Sequence, residues 1–112
     1  MIQSGFSSIG IEMIKSSKLV YAGYSAALIV ATTDLSGTEM VDDPMLIPDG
    51  YSKNINPFSG LGLIDFYLIP HIDSKEDWAE NILLCAKKLQ EKNLKVVTLK
   101  DGEVFMVNGF QF

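Results

Sequence analysis

The run LVYAGYSAA at residues 19–27 constrains the fold more than any other segment, because it joins an apolar strand pattern to a helix-forming stretch through a glycine. A continuous apolar run is typical of a parallel strand covered on both faces, and we expect one at residues 18–22. Residues 23–25 predict a tight turn, and residues 25–32 predict a helix that begins directly after it. The pattern therefore predicts an α/β arrangement with a serine between a strand and a helix.

Ser25 occupies this turn, where its hydroxyl is expected to lie exposed outside the regular backbone hydrogen bonds. In the nucleophile elbow of serine hydrolases, the N–H of the next residue stabilises a developing oxyanion, and here that residue is Ala26. Serine also caps helices without any catalysis, so both interpretations of Ser25 stay open. Gly23 fits the first glycine of the G-x-S-x-G pattern, whereas Ala27 replaces the second and adds a methyl group there.

The sequence contains one histidine, His71, which comes directly after an apolar run. A strand is predicted at residues 65–69, so His71 is expected just beyond the end of that strand. A serine nucleophile needs a base, and His71 is the one imidazole available. Ser25 and His71 are therefore the candidate nucleophile and base.

The remaining elements complete an alternating pattern. Residues 4–15 predict a helix, and a capping-box-like start at Ser74 predicts a second one that ends near residue 92. Residues 95–99 and 103–107 flank a Lys-Asp-Gly turn, which predicts a β-hairpin. The order favours an α/β fold: a mostly parallel sheet flanked by helices, with a C-terminal β-hairpin.

Composition narrows the classes of function. The net charge is −5 and the chain has no arginine, which argues against a nucleic-acid-binding protein. One histidine and one cysteine do not make a zinc site, so neither a metal nor another cofactor is expected. Cys85 has no partner for a disulfide, and no apolar run has the length of a membrane span, which favours a cytoplasmic protein that does not contact membranes.

Three segments carry a resemblance to a known family: YAGYSAALIVAT, GTEMVDDP and GLGLIDFYLIPHID. They resemble the peptidase E family of serine peptidases, which includes α-aspartyl dipeptidases and has a class I glutamine amidotransferase-like fold. The resemblance implies that Ser25 is the nucleophile, that His71 is the base and that small peptides are the substrates. The absence of arginine argues against recognition of an aspartyl side chain.

The same resemblance places the third triad member in the loop after the elbow helix. That loop offers Glu39, Asp42 and Asp43 as candidates. Asp43 is the first choice and Asp42 the second, while an exposed turn is the alternative interpretation of this Asp-Asp-Pro sequence. An acid beside His71 would fix its tautomer and support the imidazolium that forms during catalysis.

The similarity extends to the C-terminal half of longer family members, so residues 1–112 are interpreted as a single truncated α/β domain. A partner oxyanion donor and neighbouring strands would then be missing, which predicts a homo-oligomer or association with a chain that supplies an N-terminal half. Two functions remain open. One is a serine peptidase that hydrolyses short peptides through a Ser-His-Asp triad. The other is a catalytically inactive homologue that acts as an oligomeric or partner-dependent structural subunit.

Overall fold

A computed structural model describes residue 1 and residues 3–108 of the chain. Two helices precede the first strand along the described residues, and a long turn-rich connection at residues 33–60 lies between the second helix and that strand. In chain order the elements are α1 (Phe6–Lys15), α2 (Ala26–Ile29), β1 (Tyr67–Ile69), α3 (Ala79–Glu91) and β2 (Val96–Thr98).

Strands β1 and β2 form a two-stranded parallel sheet with Leu68 opposite Val97. Parallel neighbours need a crossover connection, and α3 supplies it. All three residues of β1 are buried, as expected for a strand with a continuous apolar sequence. The predicted α/β class, with a parallel sheet and flanking helices, is confirmed.

The main core lies between α3 and the sheet. Four residues of α3 recur at helical spacing and pack against Tyr67 and Ile69 of β1; they are Ile82, Cys85, Ala86 and Leu89. This spacing of three and four residues gives one apolar face, which the sheet covers. The predicted helix is present, but it begins at Ala79 rather than Ser74, because the Ser74 hydroxyl accepts from the N–H of Glu76 in a turn before the helix.

The ends of the long connection are tied together beside α2. Asp34 and Ser59 form an antiparallel bridge, and the Leu35 N–H donates to the Phe58 carbonyl at 2.7 Å. Leu61 and Leu63 follow this bridge and pack with Ile14 of α1 in a second apolar cluster. The N–H groups of Leu61 and Leu63 also donate to the carbonyls of Val30 and Ala31, so the connection fixes the end of α2 beside the segment that leads into β1.

Two predicted strands differ in the structure. Residues 18–22 form no strand within the described part of the chain, because no described segment makes a main-chain hydrogen-bonded ladder with them. After β2 the predicted turn is present, with the Glu103 N–H donating to the Lys100 carbonyl at 3.1 Å. Residues 103–108 form no second hairpin strand. Instead Phe105 lies edge-on against Phe66 with ring centroids 5.7 Å apart.

Gly60 makes a close approach that no larger residue fits. A β-carbon built at this position would lie 1.9 Å from the carbonyl oxygen of Thr32. We expect Gly60→Ala to lower the free energy of unfolding by about 2 to 3 kcal/mol, because backbone on both sides must move apart. Urea unfolding followed by tryptophan fluorescence measures this change. Ser59→Ala introduces the same side chain at the neighbouring exposed position and serves as the control. Equal stability of the two variants would contradict the close approach.

Candidate active site

Ser25 lies on a strained turn directly before α2. Its backbone angles are φ 54° and ψ −127°, in a region that residues other than glycine rarely adopt. Ser25 occupies the N-cap position of α2, yet its side chain makes no capping hydrogen bond. The hydroxyl is therefore available for another partner, and simple helix capping does not account for this serine.

The turn is held by contacts among its immediate neighbours. A β-carbon at Gly23 would lie 2.6 Å from the β-carbon of Ala27, so the methyl group of Ala27 fills the space that Gly23 leaves open. The Tyr21 hydroxyl donates to the carbonyl of Ala27 at 2.7 Å, and burial raises the pKa of that hydroxyl. The alanine that departs from the G-x-S-x-G pattern is thus accommodated by the glycine before the serine.

His71 follows β1 and Pro70, and it also has a positive φ of 62°. Its Nε2 lies 3.0 Å from the Oγ of Ser25, which is hydrogen-bonding distance. Trp78 lies against the imidazole in an edge-to-face contact, with ring centroids 5.4 Å apart. The structure therefore brings together the serine and the histidine that the sequence singles out.

The other imidazole nitrogen, Nδ1, contacts a carboxylate oxygen of Asp101. Asp101 lies in the turn just after β2, and His71 comes just after β1. Because β1 and β2 are parallel neighbours, residues that follow their carboxyl ends meet at the same edge of the sheet. Ser25, His71 and Asp101 thus form a continuous series of hydrogen-bonded side chains.

Asp42 and Asp43, the predicted acids, lie elsewhere among the described residues. Asp43 accepts a hydrogen bond from the Met45 N–H at 2.9 Å within a local turn. Both line an open cavity of about 250 Å³ beside α2, together with Glu39 and Ala26. Their contacts do not include His71, because the bridge that closes the long connection leaves this acidic segment outside the edge where β1 and β2 end.

Ala26 directly follows the serine, and its amide has no acceptor among the described residues. The N–H of Ala27 donates to Tyr24 and the N–H of Leu28 donates to Ser25, but the N–H of Ala26 makes no hydrogen bond within residues 3–108. A free amide next to a serine nucleophile is the position from which serine hydrolases stabilise an oxyanion.

Cys85 and the acidic residues offer no competing chemistry. Cys85 is fully buried, its thiol donates to the Gly37 carbonyl at 3.4 Å, and burial raises its pKa, all of which disfavour a reactive thiolate. Among residues 1 and 3–108, no group of three His, Cys, Asp or Glu side chains is arranged to hold a metal ion. None of the helices in this described part has the length and apolar content needed to cross a membrane.

A comparison with protein-family models matches peptidase family S51, the peptidase E family, over residues 5–112. The match includes Ser25, His71 and Asp101, and it confirms the resemblance read from the sequence. A search of curated proteins finds no match.

Proposed function

We propose, from the premise that the chain belongs to peptidase family S51, that it hydrolyses short peptides through Ser25, His71 and Asp101. Membership of the family supports a serine-peptidase kind of function. The observation that supports peptide hydrolysis by these three residues is their hydrogen-bonded series. It runs from the Ser25 hydroxyl through both imidazole nitrogens to the Asp101 carboxylate.

In the proposed mechanism, the Oγ of Ser25 attacks the peptide carbonyl while the Nε2 of His71 takes the hydroxyl proton. The Asp101 carboxylate accepts a hydrogen bond from the Nδ1–H, which leaves Nε2 unprotonated and ready to act as a base. The N–H of Ala26 donates to the oxyanion of the tetrahedral intermediate. His71 then gives its proton to the leaving amine, and an acyl group remains on Ser25. Water, activated by His71, cleaves that ester and restores the hydroxyl.

The cavity beside α2 indicates which peptides the site would accept. The cavity next to Ala26 is small, and the acidic residues Glu39, Asp42 and Asp43 are part of its lining. These negative charges would repel an acidic side chain, and the chain has no arginine to pair with one. We therefore propose short peptides without an aspartyl preference as the substrates.

The direct test is covalent labelling with a fluorophosphonate, which reacts with activated serine hydroxyls. Intact-mass measurement should give one adduct on the wild-type protein, no adduct on Ser25→Ala and much slower formation of the adduct on His71→Ala. Folded wild-type protein that gains no mass would contradict the proposal and would favour a non-catalytic subunit.

A cytoplasmic location is proposed with this function. Cys85 is the single cysteine, and it is buried and unpaired, which suits a reducing compartment.

We further propose that the chain associates with another copy of itself through residues 18–24. Val20 is 91% exposed and Tyr24 is 85% exposed. Apart from the carbonyl of Tyr24, the main-chain groups of residues 20–24 have no hydrogen-bond partner in the described part of the chain. Residues 20–24 belong to no helix or strand of the described structure, and an apolar segment with free main-chain groups is a template for strand pairing.

Sedimentation velocity tests this association. We expect wild-type protein at micromolar concentration to sediment as an oligomer and Val20→Lys to shift it toward the monomer, because a charge on the pairing segment is disfavoured. Ile9→Lys changes an exposed apolar residue of α1 and serves as the control. A wild-type monomer, or an equal shift in both variants, would contradict pairing through residues 18–24.

A further inference from the structure

We propose that Asp73 is a positioning residue that holds Asp101 against His71. The inference rests on the proposed Ser25–His71–Asp101 triad and adds to it a residue that touches neither the serine nor the imidazole. One carboxylate oxygen of Asp73 accepts a hydrogen bond from the backbone N–H of Asp101 at 2.9 Å.

Asp73 and His71 belong to one short loop, and Asp101 contacts both of them. The side chain of Asp101 meets the imidazole, while its main-chain N–H meets the Asp73 carboxylate. Two separate contacts thus join the same pair of loops. Because Asp73 is only two residues from His71, its hydrogen bond fixes the backbone of Asp101 relative to the histidine itself.

Asp101 needs such support because its turn is exposed. The Asp101 side chain is 60% accessible to solvent, and the turn around it contains Gly102 with a φ of 88°. The Lys100 N–H donates to a carboxylate oxygen of Glu103, which fixes the turn internally but does not tie it to His71. Among the described contacts, the hydrogen bond to Asp73 is the one that joins the main chain of this turn to the loop after β1.

The loop that carries Asp73 is itself anchored to the sheet. The Ile72 N–H donates to the Leu99 carbonyl at 3.0 Å, and the Ser74 N–H donates to the His71 carbonyl at 3.0 Å. Asp73 lies between these two bonds, so its main chain is fixed on both sides. Its exposed carboxylate therefore holds Asp101 from a loop whose main chain is hydrogen-bonded on both sides, and a catalytic group needs such support from its neighbours.

The hydrogen bond uses one oxygen of Asp73 as an acceptor, and this allows a discriminating pair of variants. Asp73→Asn keeps an acceptor oxygen in the same place but removes the charge, whereas Asp73→Ala removes both. Asp77→Ala is the matched control, since Asp77 is an exposed acid of the same connection whose side chain makes no hydrogen bond among the described residues.

The experiment compares the rate constant for fluorophosphonate labelling of Ser25, and kcat and KM for a short peptide, in these variants. We expect Asp73→Ala to lower the labelling rate constant and kcat about tenfold with KM nearly unchanged, the effect of losing one hydrogen-bond acceptor at an exposed site. Asp73→Asn is expected to restore most of this loss, and Asp77→Ala to behave as wild type. Thermal unfolding checks that all variants are folded.

Wild-type rates in Asp73→Ala would overturn the positioning role while leaving the triad intact. Equal losses in Asp73→Asn and Asp73→Ala would also overturn it, because the charge and not the acceptor would then matter. Folded wild-type protein that is not labelled at Ser25 would overturn the proposed function, and the role of Asp73 with it.

Discussion

Replacing Ser25 with alanine is expected to abolish the mass increase that a fluorophosphonate gives to the wild-type chain. The hydroxyl is the nucleophile in the proposed chemistry, so no reaction with the phosphorus centre remains without it. His71→Ala leaves the hydroxyl in place but removes its base at 3.0 Å, and we expect labelling to slow by about a thousandfold. Intact-mass spectra taken over a time course measure both effects.

Ser17→Ala is the matched control for this experiment. Ser17 is another serine with a positive φ, at 60°, and it lies in the turn after α1, far along the chain from His71. Labelling of this variant should equal that of wild type, because backbone strain alone does not activate a hydroxyl. An adduct that persists in Ser25→Ala would contradict the proposal, since the reactive group would then be a different residue.

Local pattern was sufficient to predict the central elements of the fold. The apolar spacing of α3 and the apolar runs of β1 and β2 each indicate their element without reference to the rest of the chain. The segment at residues 18–22 has an equally apolar sequence, yet it forms no ladder among the described residues. A strand is defined by its partner, and a sequence pattern does not show whether a partner lies beside it.

The sequence likewise predicts some residues of the candidate site and not others. Ser25 and His71 are recognisable because the elbow has a local signature and because the chain has a single imidazole. A role in the Lys-Asp-Gly turn is enough to account for an aspartate at position 101, so its local sequence does not suggest a catalytic role. The signal that was available is topological: with β1 and β2 as parallel neighbours, the residue types just beyond their carboxyl ends lie side by side. The family resemblance favours Asp42 and Asp43, but it does not determine how the long connection folds.

We expect Asp101→Asn to slow labelling and peptide hydrolysis far more than Asp43→Asn or Asp42→Asn. Asparagine fills the same volume but offers an amide in place of the carboxylate, so it no longer fixes the Nδ1–H tautomer of His71. The rates of Asp43→Asn and Asp42→Asn should stay within about twofold of wild type, as is usual for surface positions away from the reacting groups. Time courses of adduct formation rank the three variants directly.

The exposure of Asp101 sets the size of this effect. When a buried triad acid is removed, water cannot reach the histidine to replace its hydrogen bond. Here the Asp101 side chain is 60% exposed and that of His71 is 25% exposed. Water can therefore take over part of the hydrogen bond to Nδ1 when the carboxylate is lost, and solvent screens the ion pair that forms when His71 takes a proton. We expect a loss of about a hundredfold, less than a buried triad acid would give. If Asp43→Asn or Asp42→Asn were instead the slow variant, the acid would come from the loop after α2. The long connection would then have to fold toward His71 during catalysis.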